Sequence, residues 1–394
     1  MMLDHLNEAL YGARHSAIRE FSNLAKNTPG CVALTLGEPD FDTPLAIREA
    51  AEAALSNHET HYIMNNGNPE LRVRIAEKEN ERLGAKYTAD NVIVTAGAEE
   101  GVFLALFSIL NPGDEVIVPT PAFVIYEEIT KLCRGTFVPM DISKHDFQID
   151  SDELNSLITS RTKAIVLNSP NNPTGCILNT ESLDAVRDAV KDRNIFVIAD
   201  DVYQQLIYTD DCHSIGEYQE LRDQLMIVQS FSKPYAMTGW RMGYILVDEV
   251  IRERMELVHQ FMVTSTPSPF QRAALVALDT DVSDYLETYR RRREYMLGRL
   301  AEMGMDVVEP DGAFYVFPSI ARWNISSADF CKRLIHEVGL AVTPGLAFGS
   351  DDHIRLTYCY SDEELKIGLD RLEKFLAILD AENDNSSNSC SSKN

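Results

Sequence analysis

The stretch Met226-Ile-Val-Gln-Ser-Phe-Ser-Lys-Pro-Tyr-Ala-Met-Thr-Gly-Trp-Arg-Met-Gly-Tyr-Ile-Leu-Val247 sets two apolar runs, 226–229 and 244–247, around a polar segment with one lysine and one arginine. Runs that are apolar at successive residues, not alternate ones, mark strands covered on both faces. Similar runs recur at 92–95, 116–118, 164–167 and 196–199, with helical patterns such as 99–110 and 180–193 between them. This alternation predicts an α/β domain with a mainly parallel sheet flanked by helices. Ligands of such sheets sit beyond the carboxyl ends of the strands, so the residues that follow each run carry the functional reading.

Farther along, 249 to about 295 reads as one or two long helices broken near Pro267 and Pro269. Short strands are then expected at 307–308, 313–317, 340–343 and 353–357, with helices around 327–338 and 361–379. The resulting division is a large domain over 46–295 and a smaller α+β domain over 296–380 joined by the N-terminal segment 1–45. The Ser/Asn-rich tail, 381–394, is expected to be disordered.

The chain has 394 residues with 36 basic against 61 acidic side chains, a net charge of −25 that repels nucleic acid and anionic membranes. No run of 18 apolar residues is present, so no membrane span is expected. The first eight residues lack a basic region followed by an apolar one, which argues against a secretory leader. Seven scattered cysteines without Cys-x-x-Cys, and nine histidines without His-Glu-x-x-His, point to reduced thiols in a cytoplasmic protein and to no metal site.

Lys233, flanked by Ser230 and Ser232 and followed by Arg241, can form a Schiff base with an aldehyde, and pyridoxal phosphate is such a cofactor. Its phosphate needs hydroxyl donors and a guanidinium fork; the bland alternative is a solvated loop lysine. Asn172, in the stiff turn 169–175, either shapes the turn or donates to the cofactor's phenolate oxygen. Asp200 ends an apolar run, where a carboxylate needs a positive partner such as a pyridinium, or else caps a helix. Asp201 is the better cap by position, and Tyr203 could reach the same phenolate oxygen. Gly97 turns into a helix whose Ala98 and Glu99 amides suit an anion, with Glu100 favouring the helix dipole. Phe123 could stack on a pyridine ring or fill the core. Arg355, inside an apolar strand, wants a bidentate acid: a substrate carboxylate or a structural salt bridge. Tyr62 and Gly37 lie in loop-like stretches that say little alone.

Taken in order, Leu-Gly-Glu-Pro-Asp-Phe-Asp-Thr-Pro (36–44), Gly-Ala-Glu-Glu (97–100), Asn-Asn-Pro-Thr-Gly (171–175), Ala-Asp-Asp-Val-Tyr (199–203), Ser-Phe-Ser-Lys (230–233), Gly-Trp-Arg-Met-Gly (239–243), Gly-Ala-Phe-Tyr (312–315) and Ile-Arg-Leu (354–356) resemble the class I/II aminotransferases of fold type I. The resemblance runs from about residue 14 to 378. It implies Lys233 as covalent anchor and then general base, Asp200 at the pyridinium, and Tyr203 and Asn172 at the phenolate oxygen. Ser230, Arg241 and the Ala98 and Glu99 amides would hold the phosphate, and Phe123 would stack on the ring. Arg355, with Asn172 and Gly37, would bind the substrate. Tyr62 would reach the phosphate in the neighbouring subunit of a homodimer. The family often has Trp or Tyr where this chain has Phe123, and Lys-Gln or Ser-Gln where it has Glu99-Glu100.

Segments 18–23 and 259–264 look like the aromatic-amino-acid and N-acetyl-diaminopimelate aminotransferase branch, with Ile18 and Tyr62 lining an apolar side-chain pocket. Aspartate is a further donor, and 2-oxoglutarate the implied acceptor. The rival on the same fold is a pyridoxal-phosphate C–S β-lyase. No Gly-x-Gly-x-x-Gly follows a strand, and Gly-Lys never occurs, which argues against a nicotinamide dehydrogenase and a P-loop enzyme.

Overall fold

The computed structural model describes residues 5–11 and 17–391, with side chains through 384. Residues 1–4 of the stretch read for a leader, 14–16 at the start of the family resemblance, and 392–394 of the tail lie outside the described residues.

Twelve strands are formed among the described residues. β1 is Val32–Ala33, β2 Val92–Thr95, β3 Glu115–Thr120, β4 Thr136–Asp141, β5 Thr162–Asn168 and β6 Phe196–Asp200. β7 is Leu225–Ser230, β8 Gly243–Val247, β9 Tyr315–Val316, β10 Leu340–Ala341, β11 Thr343–Pro344 and β12 Ile354–Thr357. Seven make one sheet in the order β2-β8-β7-β6-β5-β3-β4. β3 pairs parallel with β4 and β5, and β5-β6-β7 continue parallel. β8 runs antiparallel to both β2 and β7. Residues 231–242 hold no crossover helix, only a short 3-10 turn at Thr238–Trp240, and parallel pairing requires a crossover.

Both faces of the sheet are covered, which is why its strands read as unbroken apolar runs. Val92, Val94, Ile165, Val197, Ile227 and Leu246 enter one core cluster. The intervening Ile93, Ala164, Val166, Ile198, Met226, Val228 and Ile245 enter the other. β4 lies outside the runs that the sequence marks as strands. It is an edge strand with mixed exposure that carries Pro139, so it lacks the buried-strand pattern.

The expected one or two long helices are three: Glu249–Val263, Ser268–Ala277 and Ser283–Glu302. The prolines make the first break, with Pro267 as N-cap and Pro269 in the first turn. The second break has no proline or glycine; Val282 is the N-cap of the third helix, and Asp281 just before it accepts the Ser283 N–H at 2.9 Å. Tyr289, Met296 and Leu300 of that third helix pack with Phe314, Phe330, Leu369 and Phe375 in a separate core, so this helix crosses the boundary expected at 295.

Over that core lie β11-β12-β9, antiparallel, and β1 beside β10, parallel. N-terminal strand β1 thus joins the smaller layer. No strand forms at 307–308, and 313–317 contributes only β9. Helix Ser327–Val338 has Ser326 as N-cap and Gly339 as its left-handed C-cap. The last helix runs Asp362–Ser391, into the stretch expected to be disordered. Arg333 pairs with Glu382 at 2.9 Å and holds its first tail turn, from which a packed helix can propagate.

Candidate active site

At the carboxyl edge of the large sheet, under the smaller layer, lies a cavity of about 330 Å³. Ile18, Gly37, Ala98, Glu99, Phe123, Asn172, Asp200, Tyr203, Ser230, Lys233, Arg241 and Arg355 all line it. These come from twelve positions spread over more than 330 residues of chain. Tyr62 does not line it; its side chain is 87% exposed.

β5 and β6 lie in register with Asn168 opposite Asp200. Asn168 Nδ2 donates to the Asp200 carbonyl at 2.9 Å, and Asn168 Oδ1 accepts the Asn172 N–H at 2.8 Å, so one side chain fixes both the strand end and the turn. The Asp200 carboxylate is 4% exposed and accepts the Tyr126 hydroxyl at 2.7 Å and the Val202 N–H at 3.4 Å. No basic side chain pairs with it among the described residues. Burial pushes its pKa up to about 6, against the lowering pull of the Tyr126 hydrogen bond. Asp201 does not cap a helix, because 202–205 form turns instead. Its carboxylate pairs with Arg82 at 2.9 Å and accepts from Ser214 at 2.8 Å.

Lys233 Nζ donates to the Gly37 carbonyl at 2.7 Å, and burial pushes its pKa down. Gly37 is required by its neighbour: a Cβ there would lie 1.9 Å from Tyr315 Oη. Tyr315 and Tyr203 share a hydroxyl–hydroxyl bond of 2.8 Å, and burial pushes the Tyr203 phenol well above its usual pKa. Arg355, 1% exposed, reaches Asn172 Oδ1 at 2.8 Å and the Thr35 carbonyl, while its Nε has no partner. Its guanidinium stacks over the Tyr315 ring at 4.6 Å. No described carboxylate pairs with it, so the structural salt bridge considered for Arg355 is not formed.

The turn from β2 into helix Ala98–Ile109 is built on two glycines. Gly97 has φ +82°, and a Cβ there would lie 2.5 Å from Arg241 Nη2. A Cβ on Gly243 would lie 2.8 Å from the Gly97 carbonyl carbon and 3.0 Å from the Ala98 nitrogen. Arg241 itself has φ +52°, a left-handed conformation that a non-glycine residue adopts at a cost. It bonds the Thr238 carbonyl at 3.0 Å and the Ala96 carbonyl at 3.4 Å, and pairs with Glu99 at 3.5 Å. The Glu99 carboxylate is exposed and turned to the arginine. Ser230 accepts the Ser232 N–H at 3.0 Å beside this turn. Phe123 is half-buried and meets the Tyr126 ring edge-on, with centroids 6.4 Å apart.

Three further residues of the site, Tyr126, Tyr315 and Asn168, carry no role in the sequence reading. Tyr315 stands inside the 312–315 stretch of the family resemblance, and Tyr126 lies three residues after Phe123. The available signal was that each places a hydroxyl in an otherwise apolar setting.

The family model for "Aminotransferase class I and II" matches residues 29–372. A probable N-acetyl-LL-diaminopimelate aminotransferase of Bacillus subtilis is 38% identical over 367 residues, covering 92% of this chain and 93% of the relative. An aromatic-amino-acid aminotransferase of Thermococcus litoralis is 34% identical, covering 94% and 98%. The crystal structure of an aspartate aminotransferase of Thermotoga maritima superimposes with a TM-score of 0.90 at 36% identity, covering 94% of this chain and all of that one. The β-lyase alternative gains no support from these relatives. With the match spanning both layers of the fold, the chain belongs to the class I and II aminotransferases and is an aminotransferase.

Proposed function

We propose that this aminotransferase binds pyridoxal phosphate at Lys233 and moves an amino group from an L-amino acid, aromatic, acidic or related, to a 2-oxo acid such as 2-oxoglutarate. The observation that carries the reading is a set of buried charges with no counter-ion among the described residues: Asp200 without a base, Arg355 without an acid, and Lys233 bonded to a carbonyl. Buried charges are costly unless paired, and the cofactor with its substrate brings the missing partners.

The donor set fits that cofactor. Asp200 would hold a protonated pyridine nitrogen, with Tyr126 keeping the carboxylate oriented. Tyr203 and Asn172 would donate to the phenolate oxygen, and Phe123 would cover the ring. The Ala98 and Glu99 amides open a helix and lack intrahelical acceptors, so with Arg241 and Ser230 they suit a phosphate. A phosphate dianion there would compete with Glu99 for Arg241. When bound, pyridoxal phosphate supplies an electron sink for the pair released at the substrate Cα. Lys233, with its lowered pKa, would be the group to take the Cα proton and return it to the carbon on the far side of the amine nitrogen. Arg355 would fix the substrate α-carboxylate and with it the orientation of the Cα–H bond.

The first helix, Ala17–Lys26, sets apolar Ile18 and basic Arg19 side by side at the cavity. Its pair of side chains supports donors with an aromatic or an acidic side chain, two of the kinds named for the relatives. A homodimer with shared sites is supported by exposed Tyr62, Met64 and Phe261, apolar side chains that a second copy could cover. The described cysteines are all free thiols, which fits a cytoplasmic setting.

The test is the visible spectrum of purified protein, followed by a panel of single amino acids without any oxo acid. Cofactor absorbance that is lost in Lys233→Ala, and its conversion by one donor with one equivalent of oxo acid released, is the expected result. Colourless protein that cannot be reconstituted would overturn the cofactor assignment. Pyruvate and ammonia without a stoichiometric oxo acid would overturn transamination.

A further inference from the structure

Outside the cavity lining, beneath the Gly97 turn, a polar pair is sealed from solvent. Glu100 Oε1 meets His259 Nδ1 at 2.8 Å; the two side chains are 5% and 0% exposed. The second carboxylate oxygen, Oε2, accepts the Ala96 N–H. His259 comes from helix Glu249–Val263, and its Nε2 is buried with no partner. Two apolar side chains would fill this space without the burial cost of a carboxylate or of an unpartnered ring nitrogen. A dipole interaction alone, as read from the sequence, would leave Glu100 on the surface of its helix, as Glu99 is.

What the pair touches explains its retention. Ala96 is gripped from both ends: Glu100 takes its N–H, and Arg241 donates to its carbonyl at 3.4 Å. Thr95 Oγ1 holds the next carbonyl, that of Gly97, at 2.9 Å. The backbone that aims the Ala98 and Glu99 amides is thus braced from beneath by one carboxylate, and that carboxylate is oriented by His259. We propose that Glu100 and His259 form a positioning pair that sets the 96–98 turn to receive the phosphate of the cofactor. This rests on the cofactor reading above and goes beyond it, because neither residue lines the cavity.

The readout is the ratio of affinities of cofactor-free protein for pyridoxal phosphate and for pyridoxal, measured by absorbance or fluorescence titration. Losing a hydrogen bond to a charged group predicts about a 10- to 100-fold fall in the phosphate ester's affinity for Glu100→Ala, with pyridoxal affected less than about twofold. Glu100→Gln keeps an acceptor for the Ala96 N–H and should restore most of the ratio. Should Glu100→Ala fail to fold, His259→Leu, which removes only the bond that orients Glu100, decides on the same ratio, and a fall is expected there too. Equal loss for both ligands would show a merely structural pair and overturn the proposal, as would an unchanged ratio. Wild-type protein that binds neither ligand would instead overturn the cofactor reading.

Discussion

Asp200 and Asp201 are neighbours on the chain with opposite surroundings. Asp201 belongs to a closed network: Arg82 sits between it, at 2.9 Å, and Glu79, at 2.6 Å, while Ser214 and Tyr244 add hydroxyls at 2.8 and 2.7 Å. Asp200 faces the cavity with one phenol and one backbone amide. Both carboxylates are buried, so burial alone does not mark a site. The difference lies in whether the fold brings a counter-charge. Where it does, the polar group serves the architecture; where it does not, the proposed reading is that the group awaits a ligand that carries the charge.

Exchanging the two behaviours by mutation gives the strongest tests. Lys233→Ala should lower transamination by about 10⁴-fold while leaving the melting temperature of the cofactor-free chain essentially unchanged, since Lys233 bonds a carbonyl and has no ion-pair partner among the described residues to strand. Loss of folding in this variant would break the distinction. Arg82→Met is the converse. It strands two buried carboxylates and should cost about 3–5 kcal/mol of stability, seen as a lower denaturant midpoint, with the cavity groups untouched.

Asp200→Asn sharpens the comparison through pH. In the folded cofactor-free chain the Asp200 pKa is raised to about 6, above its unfolded value near 3.8. The folded state therefore binds the proton more tightly than the unfolded one. This group's contribution is most favourable below the unfolded pKa and declines as pH rises to about 6. Relative to Asp200→Asn, wild-type protein should lose about 3 kcal/mol of stability between about pH 4 and 6. Thermal melts of both cofactor-free proteins across that range check it; a constant difference would mean that Asp200 is not held out of reach of a counter-charge. Added pyridoxal phosphate should abolish the decline.

The sheet was legible because its strands are buried on both faces and so depart from the period-two pattern in one consistent way. Edge strand β4 escaped, since its exposed face and Pro139 erase that signal. The residues at the strand ends could be named for the same reason that they converge: each follows an apolar run, and parallel strands deliver all their carboxyl ends to one edge. Tyr126, Asn168 and Tyr315 were not legible. Their importance lies in what their polar atoms meet across 74, 32 and 112 residues of chain, and no local pattern encodes those meetings. Glu100 illustrates the same limit: its position beside a helix start was plain, but His259 lies 159 residues away.

The mildest test concerns Tyr126, whose hydroxyl bonds the Asp200 carboxylate. Its hydroxyl donates at 2.7 Å and lowers the Asp200 pKa against the pull of burial. Tyr126→Phe keeps the ring, which packs in the core and meets Phe123, and removes only that bond. Asp200 then holds its charge less well, so its pKa in the cofactor-free protein moves above about 6. A carboxylate must be ionised to hold a pyridinium, so the acid limb of cofactor binding should shift to higher pH. Affinity near neutral pH should fall by roughly tenfold, the value of one hydrogen bond to a charged group. Titrations with pyridoxal phosphate at several pH values separate the outcomes. A shifted acid limb means that Tyr126 tunes the charge, whereas weaker binding with an unmoved limb means that it only packs beside the ring.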